Sequence, residues 1–573
     1  QLATVLIHLA KAMGATGHAE IGRRLLQSAA RIHVNNNAVY QALIEISFAG
    51  DDYLALLSRL HRWLQPSVYL EIGVFTGKSL TLAQPPTQAI GIDPRPSLSA
   101  WPPPHVQVLS MTSDQFFASG QSATLLQPPD RRLDLVFIDG LHRFEQVLRD
   151  FINVERHAHP QTIVVLHDSL PCEEFMAARH QHTAYWTGDV WKMVPCLRHY
   201  RPDLRLFTIP AAPSGLTLVT GLDGTSTVLD QQFAEAVTAF QPLDYQDYER
   251  LHSDGLFNMV ANDWETVQER LVAIHGLLPI HPSPTLDFQI VILGYDMVFR
   301  ELAETLLYGL QAIGLRATIS TQEISPVARN ILLGAHLFGK TVDRSRFARI
   351  PADTIIYNFE QMSPESGMID QAYLDLLNQF EIWDYSLRNM ERLRLAGVTS
   401  PLKHVPVGYV PELTRIPVAA SEDIDVLFYG SANGRRQRVL DALRAAGVRV
   451  HHAIAVYGIQ RDDLISRARI VLNMHYYQSS IFEQVRVFYL LVNRKAVVSE
   501  CGPSTEMDDE WRHGMVLADY DELVDACLAL LQDEPYRQEV ARRGFECMTR
   551  RPEGEILRRS LQSTSPQTTQ AKE

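Results

Sequence analysis

The stretch Tyr69-Leu-Glu-Ile-Gly-Val-Phe-Thr-Gly-Lys-Ser79 decides how the front of this chain is read. The apolar run 68–72 reads as a strand, Gly73 and Gly77 bound a tight turn, and a helical pattern opens at Ser79. Such a junction offers free backbone N–H groups at the positive end of a helix dipole. Glycine lets a ligand approach the main chain closely. Glu71 puts a carboxylate at the strand end, where a cationic group of a ligand would meet it. A phosphate-cradling loop needs four residues between its first glycine and Gly-Lys-Ser. Here Val74, Phe75 and Thr76 make the loop one residue short. A dinucleotide fingerprint needs Gly-x-Gly-x-x-Gly, and this loop is Gly-x-x-x-Gly.

The acidic residue followed by x-Gly-x-x-x-Gly resembles the S-adenosylmethionine loop of class I methyltransferases. The next apolar run, Ala89-Ile-Gly-Ile-Asp93, ends in a carboxylate about 20 residues downstream, the usual place for a ribose-binding acid. The resemblance implies Glu71, Gly73, Thr76, Gly77, Asp93 and Asp114 as cofactor-binding residues.

Working outward, 573 residues exceed one core and predict roughly three to four domain-sized units. Net charge is −14 with no long basic run, which disfavours nucleic acid as the main partner. The five cysteines are scattered and show no Cys-x-x-Cys spacing, as expected for a reducing compartment such as the cytoplasm. No apolar run reaches transmembrane length. The chain opens at Gln1 without a methionine and inside a helical pattern, as a fragment lacking its natural N-terminus would.

Residues 1–48 read as helices, either a cap on the next domain or the end of a tetratricopeptide-like array. Residues 49–221 alternate strands and helices. Strand candidates at 68–72, 89–92, 106–109, 133–138 and 162–166 are mostly continuous apolar runs, as in a parallel sheet covered on both faces. This predicts a doubly wound α/β sheet with ligands at the strands' carboxyl ends.

Two of those ends carry reactive side chains. Asp134-Leu-Val-Phe-Ile-Asp139-Gly-Leu-His142 ends one strand, and Ile163-Val-Val-Leu-His167-Asp168 ends another. Asp139, His167 and Asp168 form a candidate set for Mg²⁺ or Mn²⁺. His142 is a candidate proton acceptor, since imidazole titrates near neutral pH. Asp-x-x-His followed by an acidic pair after the next strand resembles the metal-dependent sugar O-methyltransferases. The resemblance implies His142 as general base and Asp139 and Asp168 as metal ligands. His167 stands where that family has a glutamate, and imidazole suits Mn²⁺ better than Mg²⁺. Thr187-Gly-Asp-Val-Trp-Lys192 also resembles a stretch of the wider family. It is expected to cover the crevice, with Asp189 or Lys192 reaching the acceptor, or else to supply a plain core tryptophan.

Residues 222–285 read as a helical linker stiffened by Pro279, Pro282 and Pro284. A second α/β pattern comes next, with a first lobe at 286–412, a second at 413–560 and a disordered polar tail at 561–573. This half resembles the GT-B glycosyltransferases, whose two doubly wound lobes face each other across the active site. The resemblance implies a nucleotide-sugar site, with a UDP-, GDP- or dTDP-linked donor. Arg435, Arg486 and the Gly430-Ser431 turn would meet the diphosphate, His475 the phosphate or donor, and Glu483 or Glu500 hydroxyl groups. Arg436 is a further cation beside them. Tyr489 and Asn493 occupy places where that family has a glutamate and a glycine.

The sequence thus predicts a bifunctional transferase. One half methylates an oxygen of a saccharide or glycan, and the other adds a sugar to the same growing molecule, as in polysaccharide biosynthesis. Two alternatives stand beside it: a rear half that only binds glycan or nucleotide, and an assembly scaffold. A homo-oligomer is compatible with either.

Overall fold

The structure is a computed structural model describing residues 2–126, 133–275, 286–321, 323–338, 340–342, 350–362, 369–476, 482–502, 505, 507 and 509–562. The linker prolines Pro279, Pro282 and Pro284 and the tail from 563 onward lie outside these residues. The chain divides into two compact units, residues 1–98 with 102–284 and residues 285–573 with 99–101. Among the described residues no helix is long and apolar enough to cross a membrane.

The front unit is built on a seven-stranded sheet. Its strands are β1 Val68–Ile72, β2 Gln88–Ile92, β3 Val106–Leu109, β4 Leu133–Ile138, β5 Ala158–His167, β6 Arg205–Ile209 and β7 Leu216–Thr220. Their order is β3-β2-β1-β4-β5-β7-β6. Every residue of β1 is buried, because helices cover both faces. The chain order reverses at β1, which pairs with β2 on one side and β4 on the other. A crevice opens at such a reversal, outside the carboxyl ends of the strands. β6 and β7 form an antiparallel pair against β5 that the apolar pattern alone does not announce.

One expected element is absent. Ser79 opens no α-helix; the crossover holds only a 3-10 turn, Leu80–Leu82. The connection to β2 is short and contains Pro85-Pro86, which cannot continue a helix. The glycine loop therefore lacks the dipole of a long helix.

The helices Leu2–Ala15, Ala19–Ile32 and Asn37–Ser47 pack together, and Cys172 and Met176 enter their core. They pack on the segment that follows β5. The helices between 222 and 275 are no linker. Leu229, Ala236, Tyr248 and Phe257 pack into the core on one sheet face, and Val267 and Leu271 into the core on the other. Their apolar stripes have a core to cover.

The rear unit holds two parallel sheets. The first comprises β8 Phe288–Ile292, β9 Ala317–Ser320, β10 Arg329–Leu333, β11 Ile355–Asn358, β12 Glu381–Asp384 and β13 Leu402–His404, in the order β13-β12-β11-β10-β8-β9. The second comprises β14 Ile424–Tyr429, β15 Val450–Ala453, β16 Ala468–Asn473, β17 Val497–Glu500 and β18 Val516–Ala518, in the order β15-β14-β16-β17-β18. The last described helix, Glu553–Gln562, does not stay with the second sheet. It packs on the first lobe's helix Asp296–Ala312, where a Cβ on Gly309 would lie 2.5 Å from Glu553 Cγ. Glu553 is buried, and its Oε2 accepts the Gly408 N–H at 2.6 Å.

Glu553→Ala removes the side-chain acceptor of that N–H. A buried donor left unpaired costs about 1–3 kcal/mol. Urea unfolding should show a loss of that size, and Glu553→Gln, which keeps an acceptor, should recover most of it.

Candidate active sites

The loops after β1 and β4 are locked together. Asp139 N–H donates to Ile72 O at 2.8 Å. Gly73 has φ +94°, and a Cβ there would lie 1.9 Å from Asp139 O. Only glycine fits, on both backbone and steric grounds. Asp93, at the end of β2, accepts Val74 N–H at 3.0 Å and Phe75 N–H at 2.8 Å through Oδ2. Its carboxylate thus shapes the loop. Gly77 has φ +78°, and Thr76 sits between these turns. Asp114 caps no loop; it pairs with Arg149 at 3.1 Å and accepts from Gln146 at 3.3 Å.

Glu71 does not wait for a ligand cation. It is fully buried, and its oxygens accept the Tyr69 hydroxyl at 2.6 Å and the Ser79 hydroxyl at 2.8 Å. Burial pushes its carboxyl up to about 8, against the opposing effect of those two hydrogen bonds. It ties strand to loop from inside.

Four side chains meet across the crevice. His142 Nε2 lies 3.3 Å from Asp139 Oδ1 and 3.2 Å from Asp168 Oδ2. His167 Nδ1 lies 3.1 Å from Asp139 Oδ1 and 3.3 Å from Asp168 Oδ1. The Ser214 hydroxyl donates to Asp168 Oδ1 at 2.6 Å. Burial opposes charge on both imidazoles, but the carboxylates outweigh it. His142 is raised to about 9, chiefly by Asp168, and His167 is held well above its ordinary value, chiefly by Asp139. Burial works to raise the Asp139 carboxyl, yet the two histidines hold it low.

The converging ligand atoms differ from the set expected from sequence. Those of Asp139, His142 and Asp168 lie within 4.8 Å of one another. His142 joins the two acids, and His167 meets both carboxylates from its own strand end. Asp168 Oδ2 is buried and has no aligned hydrogen bond, and Asp168 holds a left-handed φ of 60°. Two carboxylates and an imidazole fit a divalent ion that accepts nitrogen.

The segment 187–192 braces the site rather than covering it. Gly188 packs so tightly that a Cβ would lie 1.8 Å from His142 O. Asp189 is buried; it accepts Phe144 N–H at 2.8 Å and pairs with Arg179 at 2.7 Å and Lys192 at 3.2 Å. Trp191 is a core residue. His142 Nδ1 lies 3.0 Å from Trp186 O. That carbonyl accepts the Nδ1–H and turns Nε2 toward the acids. Sequence reasoning missed Trp186, Arg179 and Tyr53, whose ring centroid lies 4.6 Å from that of His167. A backbone acceptor and distant aromatic neighbours leave no local signal.

In the rear unit, the seven residues expected at the nucleotide-sugar site gather at the carboxyl ends of β14, β16 and β17. Gly430 has φ +125°, and a Cβ there would lie 3.1 Å from Arg486 Nη2. Arg435 pairs bidentately with Glu500 and lies 3.8 Å over the Tyr520 ring. Glu500 also accepts His475 N–H at 3.0 Å. Arg436 is buried and ties Ser431 O at 2.8 Å to Glu483 at 3.0 Å. Arg486 Nη1 lies 3.3 Å from Glu483 Oε2 without an aligned hydrogen bond. Among the described residues both buried His475 ring nitrogens lack partners, and burial lowers its basicity. Tyr489 is elsewhere: its hydroxyl donates to Asp462 at 2.7 Å. Asn493 accepts Arg415 and Ile416 N–H at 2.8 and 2.9 Å.

Residues 70–169 match a family model described as a methyltransferase domain. That span takes in the glycine loop, Asp93, Asp139, His142, His167 and Asp168. Two uncharacterised proteins of Acanthamoeba polyphaga mimivirus are similar over about a third of the chain. One is 25% identical over 35% of this chain and 27% of its own length. The other is 28% identical over 32% of this chain and 61% of its own length. The match thus spans less than two thirds of either relative. Among solved structures, Anabaena Alr3699/HepE in complex with UDP and glucose is 12% identical, covering 48% of this chain and 99% of that chain, with TM-score 0.36. Sucrose-phosphate synthase from Thermosynechococcus elongatus is 14% identical, covering 48% and 97%, with TM-score 0.33.

Glu71 yields a pH signature of the folded site. Its carboxyl is raised by burial to about 8, above the unfolded value of about 4.3. Between these values the folded state keeps a proton that the unfolded state has released, so stability falls as pH rises from about 5 to about 8. Unfolding midpoints of wild type and Glu71→Gln across that range should converge at low pH and diverge, in favour of Gln, toward pH 8. A constant difference would mean that Glu71 is ionised throughout.

Proposed function

From the premise that residues 70–169 of this chain form a methyltransferase domain, we propose that the front unit transfers a methyl group from S-adenosylmethionine to a hydroxyl oxygen of a saccharide. The observation that carries this reading is the convergence of Asp139, His142 and Asp168 beside the Gly73 loop. The sulfonium already activates its methyl group, so the protein needs only to bring a nucleophilic oxygen into line and manage its proton. The Gly73–Gly77 loop and Asp93 would hold the cofactor, with Asp114 at the next strand's exit. Phe75 and Leu141 expose their side chains on the loops after β1 and β4, and a flat ring would cover such apolar tips.

Asp139, His142 and Asp168 would hold a divalent ion, Mn²⁺ in preference to Mg²⁺. Such an ion lowers the pKa of a hydroxyl bound to it. His167 would keep the two carboxylates in register. Where no ion is bound, His142 would take the hydroxyl proton through Nε2, and only once pH has released its own raised proton. We further propose that the rear unit transfers a sugar from a nucleotide donor. Arg486, His475 and the Gly430-Ser431 turn would meet the diphosphate, with Arg435, Glu483 and Glu500 around them. Both steps would act on one saccharide, each product meeting the second site at high effective concentration.

One observation favours a second reading of the rear unit. Arg435 is already committed to Glu500, and Arg436 to Glu483. A site whose cations are so paired suits binding without turnover. A panel of UDP-, GDP- and dTDP-sugars separates the two: saturable binding with no product selects the binding module.

Calorimetry with S-adenosylhomocysteine should show saturable binding that Asp93→Ala weakens at least tenfold. His142→Ala should leave that binding within about twofold. No heat at millimolar ligand would remove the methyl-transfer reading. Asp168→Asn should weaken Mn²⁺ binding about 10–100-fold, read by electron paramagnetic resonance, with cofactor binding unchanged.

A further inference from the structure

A cavity of about 550 Å³ opens in the rear unit where the helix Glu553–Gln562 returns to the first lobe. Pro406, from the segment after β13, lines it together with Arg550, Arg551, Glu555, Arg559 and Asp509. Backbone contacts hold its frame. Tyr409 N–H donates to Arg551 O at 2.8 Å, and Glu553 N–H donates to Tyr409 O at 3.0 Å. Gly408 closes that seam, since a Cβ there would lie 2.6 Å from Arg551 O. Pro406 and Pro552 fix φ on either side of it. The cavity thus stands ready, which spares a ligand the cost of ordering it.

Its charge is one-sided. Glu555 pairs with Arg558, and Asp509 with Arg512 at 3.5 Å, so both acids are already offset by arginines outside the lining. Arg550 and Arg559 are exposed. Among the described residues their side chains carry no ion pair, hydrogen bond or ring contact. Elsewhere in this unit Arg415, Arg435, Arg436 and Arg461 are all committed to carboxylates. Arg551 adds a third guanidinium, its carbon 5.8 Å from the Trp511 ring centroid. The helix ending at Thr549 and the helix starting at Glu553 bring opposite dipole ends here, so the guanidinia decide the sign.

A guanidinium fork matches two oxygens of a phosphate or carboxylate. One fork fills a carboxylate, whereas a phosphate has oxygens left for a second. The volume falls within the range of small-molecule sites and leaves room for the group that carries the phosphate. A chain of net charge −14 is repelled by an anionic bilayer, which favours a soluble occupant over a lipid headgroup.

We propose that this cavity binds a soluble phosphate ester or diphosphate, gripped by Arg550 and Arg559. None of its described lining residues belongs to the Gly430 and Arg486 cluster. The site therefore stands whether or not the rear unit transfers sugar.

Calorimetry of the full chain with inorganic pyrophosphate at low salt tests the assignment. Wild type should bind saturably, and the double variant Arg550→Gln/Arg559→Gln should bind at least tenfold more weakly. Arg486→Gln should stay within twofold of wild type, which separates this site from the cluster at β14, β16 and β17. The double variant should melt with the wild type, because both side chains are exposed. No saturable heat at millimolar pyrophosphate, or a double variant within twofold of wild type, overturns the site. Vesicles of phosphatidic acid in neutral lipid should not sediment the protein. Sedimentation that the double variant loses would assign the phosphate to a lipid and overturn the soluble occupant.

Discussion

No side chain fits at residue 73. A Cβ there would sit 1.9 Å from the Asp139 carbonyl oxygen, inside any van der Waals limit. That one steric exclusion holds the first and fourth strands' loops together at the point where the sheet reverses. Gly188 repeats it 1.8 Å from the carbonyl of His142. Two missing side chains thus fix both ends of the segment that presents Asp139 and His142. The rest of the front site depends on where that segment lies. Asp168 and His167 come from the neighbouring strand, and Ser214 from the turn before β7.

Both halves obey the same rule, with reactive side chains at the carboxyl ends of parallel strands. They differ in how charge is handled. The front cluster sets two acids against two imidazoles and leaves Asp168 Oδ2 without an aligned hydrogen bond. The rear unit binds its lobes with a buried ion network, Arg461 with Glu301 and Asp462, and Arg415 with Glu304. Burying such pairs costs desolvation energy that their attraction only partly repays. What they secure is a definite relation between lobes, since a pair broken in the interior leaves an uncompensated charge.

Much of this was legible in the sequence because the signals are local. An apolar run ending in Asp139 or in His167-Asp168 announces a buried strand and its exit side chains. The Gly430, His475, Arg486 and Glu500 cluster was readable for the same reason, each residue flanking a strand end. What was not legible depends on distant partners. The helix expected from Ser79 gives way to a 3-10 turn because Pro85-Pro86 and the short path to β2 decide the crossover. Glu71 looks like a ligand-facing acid until Tyr69 and Ser79 are seen to occupy it. His142 joins Asp139 and Asp168 because a backbone carbonyl, Trp186 O, turns its ring.

The returning helix Glu553–Gln562 has a consequence for how the molecule is made. It covers a groove on the helix Asp296–Ala312, which is synthesised about 250 residues earlier, and long-range contacts of this kind form late. While the intervening chain is still being translated, the small-residue surface around Gly309 has no cover. The first lobe cannot finish on the ribosome ahead of the second, as independent domains usually do. Its completion waits on the turns of that helix to leave the exit tunnel, and any chaperone that guards the nascent lobe must hold that groove until then.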